Sequence, residues 1–225
     1  MLCQKGDKEM SIGHVVFDVD GTLVDTEVAF QLALQETMEQ LLGRSAGMAE
    51  LQYTYSMTTE AALMALGFPD VPAAHRIWEK KCMEKLGMVR LYNGIAPLVE
   101  ALILRGYTLG IVTSSTMWEY KNVFLPLGLG DCFKTVVLAE DTQQHKPHPA
   151  PLWRYMDRSG ARPGDVIFVG DSAGDMICAK DAGVHRALAC WCRNPAQGDV
   201  DTEYRLERPG QLLDLLLELE AVERL

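Results

Sequence analysis

The chain has no unbroken apolar run near the roughly 18 residues that a membrane-crossing helix needs, so no membrane association is expected. Its first residues, MLCQKGDKEMS, are polar and have nothing like the apolar middle of a signal peptide. A cytoplasmic protein is the expectation. Positive charge is scarce as well, with 21 Lys and Arg against 31 Asp and Glu and a formal net charge of −10. That balance argues against gripping nucleic acid through its phosphates. It leaves room for a small anionic substrate, because a bound cation can reverse the local field. Of the six cysteines only Cys190 and Cys192 lie close together, at a spacing that shares one face of a strand. A redox or metal pair is conceivable there, but with no export signal the expected role is small apolar packing in a reducing compartment. His145 and His148 form an HxxH, yet Lys-Pro between them suits a loop and no further His or Cys cluster completes a zinc set. There is no internal repeat and no low-complexity tract.

What is present is ordinary globular material: 225 residues, 48% hydrophobic and 23% charged, enough for one large domain or two small ones. Four apolar runs rich in β-branched residues end in polar ones: HVVFDVD (14–20), TLGIVTSS (108–115), TVVLAED (135–141) and VIFVGDS (166–172). HRALAC (185–190) is a weaker fifth. Continuous apolar runs suit a parallel sheet covered on both faces. Helical patterns alternate with them, such as 95–106, where Pro97 suits a first turn and Gly106 a stop. The pattern predicts an α/β fold, a Rossmann-like doubly wound parallel sheet. About 85 residues separate the first run from the second, far more than one crossover helix requires. Helical spacing recurs within that gap at 27–43, 58–67 and 71–87. An inserted helical subdomain over 26–90 is predicted, with 1–25 and 91–225 forming the core.

In open α/β sheets ligands bind beyond the carboxyl ends of the strands. The first run offers Asp18 and Asp20 there, the second Thr113, Ser114 and Ser115, and the fourth Asp171, Ser172 and then Asp175. Lys146 follows the third. Four acids meeting in one crevice repel unless a cation joins them, and oxygen ligands of high charge favour Mg²⁺ where phosphate is also bound. A lysine and hydroxyl donors beside the ion suit phosphate oxygens. One carboxylate can attack phosphorus, and a second can carry the proton of the leaving oxygen. The residues read as phosphoryl transfer.

With DVDGT at 18–22, TSS at 113–115, KPHP at 146–149 and GDSAGD at 170–175, the sequence resembles the haloacid dehalogenase-like hydrolase superfamily. It looks closest to the branch containing phosphoglycolate phosphatase and β-phosphoglucomutase. The resemblance implies a Mg²⁺-dependent phosphatase acting on a small phosphorylated metabolite, as a monomer or small homo-oligomer. It implies that Asp18 is the nucleophile and Asp20 the general acid and base, with Thr113, Ser114 and Lys146 on the phosphoryl group. Metal ligation falls to Asp18, the backbone carbonyl of Asp20, Asp171 and Asp175. The helical insertion becomes a cap closing over the substrate, with a hinge near Asp25 and Glu27.

Departures within the resemblance narrow the reaction. Dehalogenases and phosphonatases lack an acid equivalent to Asp20, and mutases carry Glu-Asp where this chain has Gly170-Asp171. Hydrolysis of a phosphate monoester is expected, and a sugar-phosphate mutase is the alternative. A phosphoacceptor receiver domain shares the ingredients but is about half as long, with its acceptor on a later strand. Residues 53–60, YTYSMTTE, occupy the substrate-reading loop of the cap without the Gly-x-Pro and basic residue that many relatives have there. Specificity for a doubly anionic substrate therefore does not carry over.

Overall fold

The computed structural model describes residues 12–55, 57–192 and 200–223. Cys3, Ser56 of the 53–60 loop and the polar first eleven residues lie outside these. In chain order the strands are β1 His14–Phe17, β2 Val24–Asp25, β3 Arg90–Leu91, β4 Thr108–Val112, β5 Thr135–Val137, β6 Val166–Gly170, β7 His185–Ala189 and β8 Tyr204–Leu206. The helices are α1 Glu27–Leu42, α2 Met48–Leu51, α3 Thr59–Ala65, α4 Val71–Lys85, α5 Ile95–Leu104, α6 Met117–Glu119, α7 Ala150–Ser159, α8 Ala173–Ala182 and α9 Gln211–Glu223.

Six strands form one parallel sheet in the order β5-β4-β1-β6-β7-β8. The chain winds outward from β1 to β4 and β5, then returns to the other side of β1 for β6, β7 and β8. The direction of winding therefore reverses at β1, and such a switch point opens a crevice beyond the strand ends. The α/β doubly wound sheet is as the apolar runs predict. HRALAC forms a full strand, and β8 joins it at the edge without having been anticipated.

Alternation along β1 explains the two layers, since neighbouring side chains on a strand point to opposite faces. Val15 and Phe17 join a core with Leu98, Val99 and Leu102 of α5 and Leu212 and Leu216 of α9. Val16 faces the other way, into a core with Leu152 and Tyr155 of α7 and Cys178 and Ala179 of α8. Both faces being covered, the strands read as continuous apolar runs. On the second face Tyr155 lies across β4, and its hydroxyl pairs with His14 Nδ1 at 3.0 Å. A Cβ on Gly110 would stand 2.1 Å from the Tyr155 ring, so the glycine is what admits the aromatic ring against the strand.

The segment between β2 and β3 is helical and has its own hydrophobic cluster, centred on Ala33, Met38, Leu51, Leu63 and Trp78. Its entry and exit lie side by side, because β2 and β3 pair antiparallel, Val24 with Leu91 and Asp25 with Arg90. In the basic run on α4, Arg76 and Lys80 are exposed, whereas Lys81 and Lys85 are half-buried and paired, Lys85 lying 2.8 Å and Lys81 3.4 Å from Glu36.

The cysteines from Cys82 to Cys192 are free thiols, so Cys190 and Cys192 form no bridge. Gly110→Ala is expected to lower stability by roughly 1–3 kcal/mol through overpacking. In a Tyr155→Leu background the same substitution should cost clearly less when measured by urea unfolding, and equal costs would show that the ring is not the obstacle.

Candidate active site

The sheet ends at charged residues. Asp18 follows β1 directly, its N–H donating to the Val169 carbonyl at 2.9 Å, and Asp171 follows β6 on the neighbouring strand. Ser172 then opens α8 through a reciprocal cap: its hydroxyl accepts from the Asp175 N–H at 3.1 Å, and its N–H donates to Asp175 Oδ2 at 3.0 Å. The cap fixes Asp175 Oδ2, which also accepts from the Ser172 hydroxyl at 2.6 Å. Asp175 Oδ1 points instead to Lys146, whose Nζ lies 2.6 Å from it and 2.9 Å from Asp18 Oδ1. Lys146 comes from the loop before α7, so one ammonium ties three separate parts of the chain.

Asp18, Asp171 and Asp175 each place one carboxylate oxygen within 4.8 Å of the others, and all three residues are buried. At that range each charged pair repels by about 3 kcal/mol or more at an effective dielectric near 20. Three carboxylates and one ammonium leave two negative charges uncompensated. Burial, reinforced by Asp175, pushes the Asp18 carboxyl up to about 7 even though Lys146 pulls it down. Burial and the neighbouring carboxylates also raise Asp171 well above the usual range. Oxygen-only donors with a deficit of two positive charges fit a hard dication. The backbone makes room for this cluster at Gly21, where φ is +82° and a Cβ would stand 2.2 Å from Asp171 Oδ2. Thr22 adds a long contact to Asp171 Oδ1 at 3.4 Å.

Asp20 turns away from that cluster. Its Oδ1 accepts from the Thr26 hydroxyl at 2.6 Å and its Oδ2 from the Ser115 hydroxyl at 2.5 Å. Both carboxylate oxygens are thus engaged by hydroxyls, and Asp20 is not part of the Asp18, Asp171 and Asp175 cluster; the resemblance implies a metal role for its backbone carbonyl. Burial raises the Asp20 pKa, and the two hydroxyls oppose the rise. Thr113 is buried after β4, and its hydroxyl donates to Ser115 Oγ at 3.0 Å, which makes a line of hydroxyls leading to Asp20. Ser114 faces the cleft with Asp18 and Lys146. Six of the seven expected residues line one crevice, and Asp175 lies fully buried behind Lys146; Asp18, Asp171, Asp175 and Lys146 form one cluster, and Thr113 joins Asp20 through Ser115.

Ser115 and Thr26 are the side chains that hold Asp20; the sequence places Ser115 among the hydroxyls at a strand end, not beside an acid, and gives Thr26 no role. A TSS run gives no sign of which hydroxyl faces an acid. Thr26 precedes α1 in the position of a helix cap but makes no side-chain cap bond, its hydroxyl going to Asp20 instead. Tyr55 completes this group, its hydroxyl lying 3.0 Å from Thr26 Oγ1. His145 and His148 do not line the crevice; His148 Nδ1 accepts from the Ala150 N–H at 3.1 Å and its ring packs on Trp153. Asp25 lies 3.5 Å from Arg90 where β2 and β3 pair.

The crevice continues upward as a cavity of about 760 Å³, part of it open solvent, between the strand ends and the helical segment. Phe30, Leu34, Leu63 and Trp78 supply apolar wall from that segment, and Thr59 and Tyr55 supply hydroxyls. Glu119 projects from the core side and is buried. Its Oε2 accepts from the Thr116 N–H at 2.5 Å and its Oε1 from the Thr59 hydroxyl at 2.9 Å.

The family model for haloacid dehalogenase-like hydrolases matches residues 15–189. The chain belongs to the haloacid dehalogenase-like hydrolases. A pyrophosphatase named PpaX from Bacillus velezensis is 30% identical over 216 residues, covering 89% of this chain and 94% of that protein. A phosphoglycolate phosphatase from Salmonella choleraesuis is 32% identical over 203 residues, covering 79% of this chain and 81% of that protein. Among solved structures, a Lactobacillus plantarum protein superposes with a TM-score of 0.82 at 27% identity, covering 91% of this chain and 99% of that chain. For a haloacid dehalogenase-like hydrolase, the crevice beyond β1 is therefore the candidate active site.

Glu119 gives the site a pH signature. Burial, with repulsion from Asp20, pushes its carboxyl up from 4.5 to about 7. The folded state then binds this proton more tightly than the unfolded chain does, so its contribution to stability is greatest at acid pH. It falls as pH rises from about 4.5 to about 7. The neutral Glu119→Gln is expected to gain on the parent across that window, by on the order of 3 kcal/mol at most. Urea unfolding at pH 5 and pH 7.5 measures this, and a stability difference that does not change between the two would refute it.

Proposed function

We propose that the protein is a Mg²⁺-dependent phosphatase that hydrolyses a small phosphate monoester through an aspartyl-phosphate on Asp18. The observation that carries this reading is the buried cluster of Asp18, Asp171 and Asp175 around Lys146 at the sheet's switch point. The names of the relatives, a pyrophosphatase and a phosphoglycolate phosphatase, support phosphate ester or anhydride cleavage. Asp18, Asp171, Asp175 and the Asp20 backbone carbonyl would hold the ion. When bound, Mg²⁺ supplies positive charge against the phosphoryl oxygens and the acids around it.

The chain's own groups divide the remaining work. Lys146 holds Asp18 in place and brings positive charge to the transferring group. Ser114 offers a hydroxyl on the far side of the crevice, and Thr113, whose N–H goes to the Val137 carbonyl at 3.1 Å, would turn its hydroxyl from Ser115 to reach a phosphoryl oxygen. A carboxylate oxygen of Asp18 forms a bond to phosphorus as the bond from phosphorus to the leaving oxygen breaks. Asp20, fixed by Ser115 and Thr26, donates its proton to that oxygen, and its raised pKa supports its being protonated at this stage. Asp20 then takes a proton from water as the water oxygen attacks phosphorus and frees Asp18. The helical segment, roughly 26–90, serves as a cap that excludes bulk water from this exchange. The substrate is a cytoplasmic metabolite, and the enzyme works as a monomer or small homo-oligomer.

Gly170 favours hydrolysis over phosphoryl transfer between sugar positions. A Cβ there would stand 2.5 Å from Asp175 Cγ, so the glutamate that mutases carry at this place would displace Asp175.

Phosphate release from a panel of monoesters with Mg²⁺ is the test. Asp18→Asn should lower it about a thousandfold or more, and a chelator should stop the parent enzyme until Mg²⁺ is restored. Substantial release surviving either treatment would defeat the mechanism, and isomerisation without release would point to a mutase.

A further inference from the structure

We propose that Glu119 makes this a phosphatase for esters whose leaving group carries a hydroxyl or ammonium donor on a partly apolar body and bears no second negative charge. This rests on the phosphatase reading above and specifies its substrate class. Three observations carry it. The first is the wall chemistry: Phe30, Leu34, Leu63 and Trp78 give the cavity above the phosphoryl site a large apolar surface, beside the neutral polar groups of Gln31, Tyr55 and Thr59.

The second is the charge of that cavity. Among the described residues, the only basic side chain lining it is Lys146, and both Asp18 and Asp175 hold it at the floor. Among the described residues, no further cation lines the cavity to accept a carboxylate or a second phosphate. A small anionic leaving group would have to shed water with only neutral donors to meet it, chiefly the buried and otherwise unpartnered Gln31 amide.

The third is Glu119 itself, a buried acid on the same wall. Glutamate at this position of a helix start closes a cap, and the bond from the Thr116 N–H to Oε2 does so. That cap accounts for one oxygen. The other meets the Thr59 hydroxyl from the first turn of α3, so this acid spans the core and the helical segment at the edge of the cavity. A carboxyl oxygen has two acceptor positions, and one bond to each leaves capacity for a donor from the substrate. At pH above about 7, where Glu119 is ionised, an incoming anion would instead meet a like charge in a poorly solvated setting.

The test compares phosphate release from four probes under one set of conditions: glycerol 3-phosphate and O-phosphoethanolamine as donors, and phosphoglycolate and pyrophosphate as anions. p-Nitrophenyl phosphate, which is activated and carries no second ionised group, reports whether the protein is a phosphatase at all. The donor esters should exceed the anionic ones in kcat/KM by about 10-fold or more, chiefly through KM. Glu119→Gln should narrow that ratio by improving the anionic probes. A purely structural glutamate would shift all four together. If p-nitrophenyl phosphate and all four probes are inert, the phosphatase reading fails. If p-nitrophenyl phosphate is cleaved and phosphoglycolate or pyrophosphate equals or surpasses the donors, the phosphatase reading stands and this inference is overturned. The ranking by the parent enzyme decides even if Glu119→Gln does not fold.

Discussion

One ammonium group sits between two carboxylates at the point where the sheet changes its winding direction, and the site is built around that ion pair. Lys146 lies within 2.9 Å of Asp18 and 2.6 Å of Asp175, joining the end of β1, the loop before α7 and the first turn of α8. Removing one partner of such a buried pair leaves an uncompensated charge, and the loss is usually several kcal/mol. The pair still does not balance the site, because Asp171 adds a third carboxylate. The surplus is a local tension that a bound cation would relieve. Asp18 and Asp171 each directly follow a central strand, β1 and β6, so the paired strands set the spacing of the two carboxylates.

Much of this arrangement was readable in the sequence because the constraint there is local. VVF before Asp18 and VIFV before Gly170-Asp171 each mark a strand by composition and its end by an acid. The rule that ligands gather at carboxyl ends then brings those acids together without any distance being known. The polar tails of the four runs, reaching residues 20, 115, 141 and 172, lie past the ladder, since β1, β4, β5 and β6 stop at Phe17, Val112, Val137 and Gly170. The reactive residues are in the loops just past the ladder, where backbone hydrogen bonding gives way to side-chain work. β8 was not seen because three residues with one buried side chain leave almost no pattern.

What was missed within the site depends on contacts far apart in sequence. Ser115 reaches Asp20 across 95 residues, and Thr59 reaches Glu119 across 60. No spacing rule announces such pairs. Glu119 had a complete local explanation as the third residue of a capped helix start, and only its burial in a shared cavity gives it another role. Thr26 was hidden in the opposite way, since a threonine before a helix is expected to cap it and here the hydroxyl is turned to Asp20. The chain's likeness to a pyrophosphatase and to a phosphoglycolate phosphatase extends over most of its length. The wall facing the leaving group can still differ, because a few side chains compose it and none of them is needed to hold the sheet.

The two-residue pairing of β2 with β3 has an evolutionary reading. It pins the start and the end of the helical segment next to each other, so the sheet sees the intervening chain as a closed loop of about 65 residues. The entropy of closing such a loop grows only logarithmically, by about 0.6 kcal/mol for each doubling of its length. Helices can therefore be added, lost or reshaped there with little effect on the sheet. Insertion of a single residue within β1 would have the opposite character, since it would turn the following side chains to the other face. Length is free to vary in one place and phase is fixed in the other, which lets a lineage change what it recognises while keeping its chemistry.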